Sequence, residues 1–232
     1  LRWAALLLAF FISSSALTWA FRGRKSAVDA DYEKNGARDA GQVLGNGALP
    51  ALLAGLSYFA PYDGWMWIGF AAALAAVNAD TWATELGVLS RGRPRLITSF
   101  KKVEKGTSGG ISFVGTLAAL AGATFIGLLA LLLPPTAAIG YSSSLTDYWF
   151  LIAASGLLGS LFDSLLGATA QAMYYCPAHE KETECHPLHI CGTPTIHVRG
   201  WKWLGNDLVN FLCGLFGILV AWLMALAVPP LL

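Results

Sequence analysis

Six stretches of this chain stay apolar for about as long as a helix needs to cross a bilayer, and they leave little else for it to fold into. They run roughly over residues 1–21, 40–60, 64–89, 110–133, 147–173 and 205–228. From Ile111 to Leu133 there is no charged residue at all. A hydrocarbon core is spanned by about 20 such residues in a helix. In lipid every backbone N–H and C=O must find a partner within the protein, so only helices and closed barrels span. These runs are continuous rather than alternating, which selects helices; the 40–60 run, interrupted by Gly and Pro, is the weakest of them. Charged residues make up only 12% of the chain against 56% hydrophobic, whereas soluble domains carry about a quarter charged. The expected class is an all-α polytopic membrane protein of about six transmembrane helices, one domain over residues 1–232. The first residue is Leu, so the chain is expected to be a fragment or to lack its start.

The basic residues then set an orientation. Arg22, Arg24, Lys25, Lys34 and Arg38 fall in the 22–39 loop. Arg91, Arg93, Arg95, Lys101, Lys102 and Lys105 fall in 90–109, and Lys181, Arg199 and Lys202 in 174–204. The loops 61–63 and 134–146 have none. With six spans, all three basic loops lie on one side, which the positive-inside rule makes cytoplasmic.

Within this apolar chain, the segment NADTWATELG (Asn78–Gly87) is out of place. At about 100° per residue, Asn78, Asp80, Thr81, Thr84 and Glu85 fall within half of the helix circumference. Ionisable groups in membrane spans are costly and face a bundle interior or a wet cavity. A purely structural polar patch is the plainer reading. The device recurs in LFDSLLGATAQ, with Asp163 and Ser164. Asp80 and Asp163 each lie about ten residues, roughly 15 Å of helical rise, from the cytoplasmic end. This hints at a weak internal repeat of helix pairs. The last span opens with GNDLVN, placing Asn206, Asp207 and Asn210 at the same mouth, where helix capping is an equally good use for the first two. Arg38, Gln42 and Asn46 form one stripe entering the second span. Asp80, Glu85, Asp163 and Asp207 together offer the hard oxygen ligands that Mg²⁺ prefers.

Between the third and fourth spans lies RGRPRLITSFKKVEKGTSGGIS, six cations followed by Gly106, Thr107, Ser108, Gly109 and Gly110, then a helix. Small residues at a helix start let backbone N–H groups approach an anion. The order is not that of a Walker A loop, and a juxtamembrane basic cluster also serves as a topology signal or headgroup contact. Carboxylates for a cation, amides and cations for phosphates, and a lipid-facing bundle together suit phosphoryl or nucleotidyl transfer to a lipid at the membrane surface.

All four histidines and three of the four cysteines lie in CPAHEKETECHPLHICGTPTIH, residues 176–197. This density predicts a small structural zinc site in a cytoplasmic insertion over 174–204. The preferred ligands are Cys176, His179, His189 and Cys191, with Cys185 and His186 in reserve. Cys213, inside a span, reads as a buried apolar side chain.

NADTWATELGVLSRGRPRLITSFKKVEKGTSGGISFVGTLAALAGA, then FDSLLGA and NDLVNF, resembles the transmembrane-protein-19-like family, to which the plant phytyl-phosphate kinase belongs. The resemblance also takes in RDAGQVLGNG. It implies a kinase that converts an isoprenoid monophosphate into the diphosphate, using CTP or another nucleoside triphosphate with Mg²⁺. The matching acids are Asp80, Glu85, Asp163 and Asp207; Lys102, Lys105, Gly106, Thr107 and Gly110, with Gly109 beside them, match the phosphate loop. Two departures stand out: the apolar segment usual before the first span is missing, and Cys176–His179 replaces the Cys-x-x-Cys of prokaryotic relatives.

The expected arrangement has Asp80, Asp163 and Asp207 on Mg²⁺, with Lys102, Lys105 and the 106–110 amides on the triphosphate. Arg38 would hold the acceptor phosphate, with Gln42, Asn46, Asn206 and Asn210 near the phosphates. Partners are then a lipid isoprenoid monophosphate, a nucleoside triphosphate and membrane lipids, with no nucleic acid. Rival readings are a CTP-dependent lipid-phosphate cytidylyltransferase, a transporter with an intramembrane acidic ion site, and a non-catalytic scaffold.

Overall fold

A computed structural model describes residues 1–25, 40–59, 64–133 and 145–227 of the chain. Six helices form there: α1 (Arg2–Lys25), α2 (Ala40–Leu56), α3 (Gly64–Gly87), α4 (Phe113–Leu132), α5 (Leu145–Thr169) and α6 (Asn206–Ala227). Each coincides with one apolar run. Four of them, α1, α4, α5 and α6, are long and apolar enough to cross a membrane. The 17-residue α2 carries Pro50 inside it. The 24-residue α3 is long enough, but its polar residues dilute it.

Burial explains how α3 carries them. It packs against α1, α2, α4, α5 and α6 and so forms the axis of the bundle. Trp67, Ile68, Phe70, Leu74 and the alanines from Ala71 to Ala76 are buried along it. Lipid tails are as apolar as leucine, so association in a membrane relies on close packing of small residues. Gly156 and Gly159 of α5 lie directly against Ala75 and Ala76 of α3, with no room for a Cβ. The large apolar side chains point outward instead: Leu215, Leu219, Leu223 and Leu226 make an exposed stripe on α6, as Leu117, Leu120 and Leu128 do on α4.

Two of the described connections carry short strands, so the described residues are mostly helical rather than all-α. In the 88–112 loop, β1 (Arg95–Leu96) pairs antiparallel with β2 (Gly110–Ile111). The insertion after α5 is a three-stranded antiparallel sheet, β3 (Met173–Cys176), β4 (Lys181–Thr183) and β5 (Ile196–Arg199), in the order β4-β3-β5. Its alternation is that of half-buried strands: Ile196 and Val198 are exposed, His197 and Arg199 turn inward. The two loops touch, because Ser108 Oγ donates to Gln171 Oε1 at 3.0 Å. The basic residues of both therefore lie at one end of the bundle, as the loop charges anticipate.

Candidate functional site

At that end, α3, α4 and α5 splay apart beneath the 88–112 loop to leave a cleft of about 740 Å³, open mouth included. From α3 it is lined by Asp80, Ala83, Thr84 and Gly87. That i, i+3, i+4, i+7 spacing is a single helical face, with one carboxylate set among small residues. From α5 come Ser160, Leu161 and Ser164, and Ser160 Oγ lies 3.5 Å from Asp80 Oδ1, a long contact.

The opposite wall is the start of α4. Ser112 caps the helix, its side chain accepting from the Gly115 amide at 3.0 Å, and Ser112, Gly115 and Thr116 face the cleft. The helix dipole and uncapped amides of such a turn favour an anion. The glycine-rich loop forms the rim, with Lys105, Gly106, Thr107 and Gly110 in the lining. Gly106 and Gly109 hold left-handed φ of 89° and 82°, a conformation that suits glycine. Gly109 also abuts the backbone and Cβ of Ala168 on α5 so closely that no side chain fits. Lys105 Nζ donates to the carbonyls of Ser90 (2.6 Å) and Val88 (3.2 Å) just past the end of α3. The ammonium is thus pinned at the cleft edge by two of its three donors. Lys102 is exposed, bridged to Arg95 in the hairpin, and does not line the cleft.

The acids do not all converge. Asp163 does not line the cleft but lies on α5 between the lining residues Ser160 and Ser164, within electrostatic reach of both Asp80 and Glu184. Its Oδ2 is buried and has no hydrogen-bond partner among the described residues. Glu85 turns the other way: it is buried and accepts from Thr18 Oγ1 of α1 at 2.9 Å. Asn78 also serves packing, donating to Gly122 O of α4 at 2.8 Å and accepting from Ser13 of α1. About 140° of helical rotation separates Asp80 from Glu85, enough for two different neighbours. Asp207 stands at the α2–α6 contact, where its backbone oxygen would meet a Cβ at Gly45 at 2.6 Å, and it does not line the cleft. Gln42 and Asn46 are half-buried on α2, about 60° and 100° of helical rotation from Gly45, and neither lines the cleft. Asn206 and Asn210 fall on the face of α6 that carries Cys213, itself buried within reach of the charges on Asp163 and Asp80. Arg38 lies outside the described residues.

A second site occupies the insertion. The ligand atoms of Cys176, His179, His189 and Cys191 lie within 4.8 Å of one another, the four ligands preferred from the sequence. Cys176 Sγ and Cys191 Sγ are 3.8 Å apart. That matches the edge, about 3.8 Å, of a tetrahedron with bonds of about 2.3 Å to sulfur. His189 Nδ1 is 3.1 Å from Cys191 Sγ, and His179 Nδ1 is 3.6 Å from Cys176 Sγ. Hydrogen bonds to Thr193 and then to His189 lower the Cys191 thiol to about 6, favouring the thiolate that binds metal. Donor set and spacing fit a tetrahedral metal such as zinc. The reserves sit elsewhere: the His186 ring stacks on Tyr174, and the buried Cys185 amide donates to Thr183 Oγ1.

Several cleft residues escaped the sequence reading. Ser112 had a signal, a capping serine just before an apolar run. Ser160 and Thr116 had none beyond helical phase. Gln171, part of the polar LFDSLLGATAQ stretch, lies outside the cleft lining and donates to Glu184 at 2.8 Å, a partner that no local pattern announces.

A helical bundle with outward leucines, an acid-bearing cleft at one end and a Cys/His insertion defines a multi-pass integral membrane protein. The chain belongs to the family described as integral membrane protein DUF92, whose profile matches residues 1–218; this is the transmembrane-protein-19-like family that its motifs resemble. It is 37% identical over 231 residues to Protein PGR of Arabidopsis thaliana, covering 90% of this chain and 77% of that protein. It is 39% identical over 167 residues to an uncharacterized membrane protein of Methanocaldococcus jannaschii, covering 72% and 64%. Protein VTE6, chloroplastic, of Arabidopsis thaliana is 28% identical over 227 residues, covering 94% of this chain and 57% of that protein. No solved structure matches the chain.

Proposed function

We propose that this protein is an integral-membrane kinase that transfers a phosphoryl group from CTP or another nucleoside triphosphate to an isoprenoid monophosphate, giving the diphosphate. The observation that carries the reading is the cleft itself. One wall presents Asp80, with Asp163 behind it, and the opposite wall is a helix N-terminus under a glycine-rich rim. A carboxylate and backbone amides lining one cleft suit a cation–polyphosphate complex. The family resemblance, to the relatives of the plant phytyl-phosphate kinase, supplies the substrate class.

Phosphoryl transfer asks a protein for positioning and charge neutralisation. Asp80 and Asp163 would hold Mg²⁺, which supplies neutralisation between the phosphates when bound. The amides of Thr107 and Gly110 are bonded within the loop, so those of Gly106, Ser108 and Gly109 and the uncapped amides at the start of α4 would orient the triphosphate, and Lys105 fixes the rim that carries them. An oxygen of the acceptor phosphate, anionic at neutral pH, attacks the γ-phosphorus. The bond to the β–γ bridging oxygen breaks, and the nucleoside diphosphate leaves with that electron pair. No strong general base is needed. All six helices would span the membrane, and the basic end would be cytoplasmic. Arg38 would grip the acceptor phosphate together with Gln42 and Asn46, and Asn206 and Asn210 would contact the phosphates. The Cys/His insertion would hold a structural Zn²⁺.

The test is product analysis with purified protein, Mg²⁺, CTP labelled at the α- or γ-position, and a panel of prenyl monophosphates. The kinase yields γ-labelled lipid and CDP. Pyrophosphate and α-labelled lipid would instead identify a cytidylyltransferase, and flux without nucleotide a transporter.

A further inference from the structure

The insertion and the glycine-rich rim are joined by one fully buried side chain. Gln171 follows α5, is 2% exposed, and bonds in two directions. Its Nε2 donates to Glu184 Oε1 at 2.8 Å. Its Oε1 accepts from Ser108 Oγ at 3.0 Å. The orientation is fixed by chemistry: a carboxylate only accepts, so the amide nitrogen must face Glu184 and the oxygen is left for the serine hydroxyl.

Each end of this bridge is itself anchored. Glu184 directly follows β4, whose Lys181 pairs with the metal-cluster residue Cys176 and whose Thr183 pairs with Tyr174. Cys185, the next residue, leads into the turn that bears His189 and Cys191. A metal bound by the four ligands would therefore hold both flanks of Glu184. At the other end, Ser108 sits between the rim residues Thr107 and Gly109, and Gly167 of α5 packs against Ser108 Oγ and the Gly109 amide. The insertion also grips the end of α5 directly, through Arg199 Nη1 to Gly167 O at 2.9 Å.

We propose that Gln171 is a positioning residue that couples the Cys/His metal cluster to the phosphate loop, so that metal occupancy in the insertion sets the order of residues 105–110. Its functional consequence rests on the reading of that loop as the triphosphate cradle; the coupling itself does not. Without the metal, Glu184 loses its fixed position, the bridge through Gln171 slackens, and Ser108 no longer holds the rim against α5. The metal then acts on the cleft from a distance, through order rather than through chemistry.

The test is amide hydrogen exchange on the full chain, without nucleotide, in the zinc-loaded protein and after chelation. Chelation should speed exchange over 105–110 by about fivefold to tenfold, the change expected for losing one neutral hydrogen bond, that of Ser108 to Gln171. Gln171→Ala should do the same while still retaining one zinc, and chelating that variant should add nothing at 105–110. Gln171→Glu sets two carboxylates against each other and should loosen the rim, whereas the double exchange Q171E/E184Q restores both hydrogen bonds and should restore slow exchange. This pair decides the matter even where the alanine variant fails to fold. Wild-type exchange at 105–110 after chelation has loosened 176–191 would overturn the coupling, as would a double exchange no better than Q171E. A separate arm adds Mg²⁺ and CTP: failure to protect 105–110 counts against the cradle reading and leaves the coupling standing.

Discussion

Replacing Gly109 by alanine tests the cleft architecture at its tightest point. Gly109 holds φ of 82°, where a Cβ costs about 1–2 kcal/mol. Its absent side chain also faces Ala168, whose Cβ would lie 2.5 Å from the new methyl. Forcing a methyl into a packed contact costs about 1–3 kcal/mol more. The rim must then leave α5, and any ligand that needs the closed rim binds against a sum of about 2–5 kcal/mol. Even the lower end is about thirtyfold in affinity. Equilibrium dialysis with labelled CTP and Mg²⁺ reads the affinity, and trypsin cleavage at Lys101, Lys102 and Lys105 reads the rim without any ligand. Gly47→Ala is the control: its Cβ meets nothing within 4 Å, and alanine in a helix is favoured by about 0.5–1 kcal/mol. Wild-type CTP affinity and wild-type cleavage in Gly109→Ala would refute the close seat of the loop on α5.

Other outcomes follow from particular contacts. Thr18→Val removes the donor to Glu85 and should lower thermal stability in detergent by about 1–3 kcal/mol while leaving turnover unchanged; a selective loss of turnover would return Glu85 to the catalytic machinery. After chelation, iodoacetamide at pH 7 should modify Cys191 before Cys185 or Cys213, because Cys191 is exposed with its thiol lowered to about 6, and added zinc should protect it. Peptide mass spectrometry checks the order, and equal labelling with and without zinc would remove Cys191 from the metal cluster.

The helices were legible because lipid imposes a blunt rule: uninterrupted apolar length becomes a span. The metal cluster was legible because thiolate and imidazole ligands 15 residues apart or fewer have few other reasons to crowd together. The polar stretch of α3 was only half legible. Its periodicity announces a polar side, but which neighbour each residue meets depends on where α1 and α4 lie, and so Asp80 and Glu85 part company. Ala83 and Gly87, at i+3 and i+7 from Asp80, were the available signal that the space lay on Asp80's side. The β-sheet of the insertion was hidden because strands of three and four residues leave no periodicity to read. Gln171 was legible as one polar residue of LFDSLLGATAQ, but its partners, 63 and 13 residues away, were not.

Asp80 and Asp163, carried by different helices, are proposed to hold a divalent cation jointly beside the 105–110 loop, without Glu85. Electron paramagnetic resonance titration of Mn²⁺ in the presence of CTP measures this most directly. Tight binding is expected in the wild type and in Glu85→Gln, and a loss of about a hundredfold or more in Asp80→Asn and in Asp163→Asn, on the order of one removed charged ligand. Undiminished Mn²⁺ binding in both aspartate variants, or a loss in Glu85→Gln as large as theirs, would contradict it.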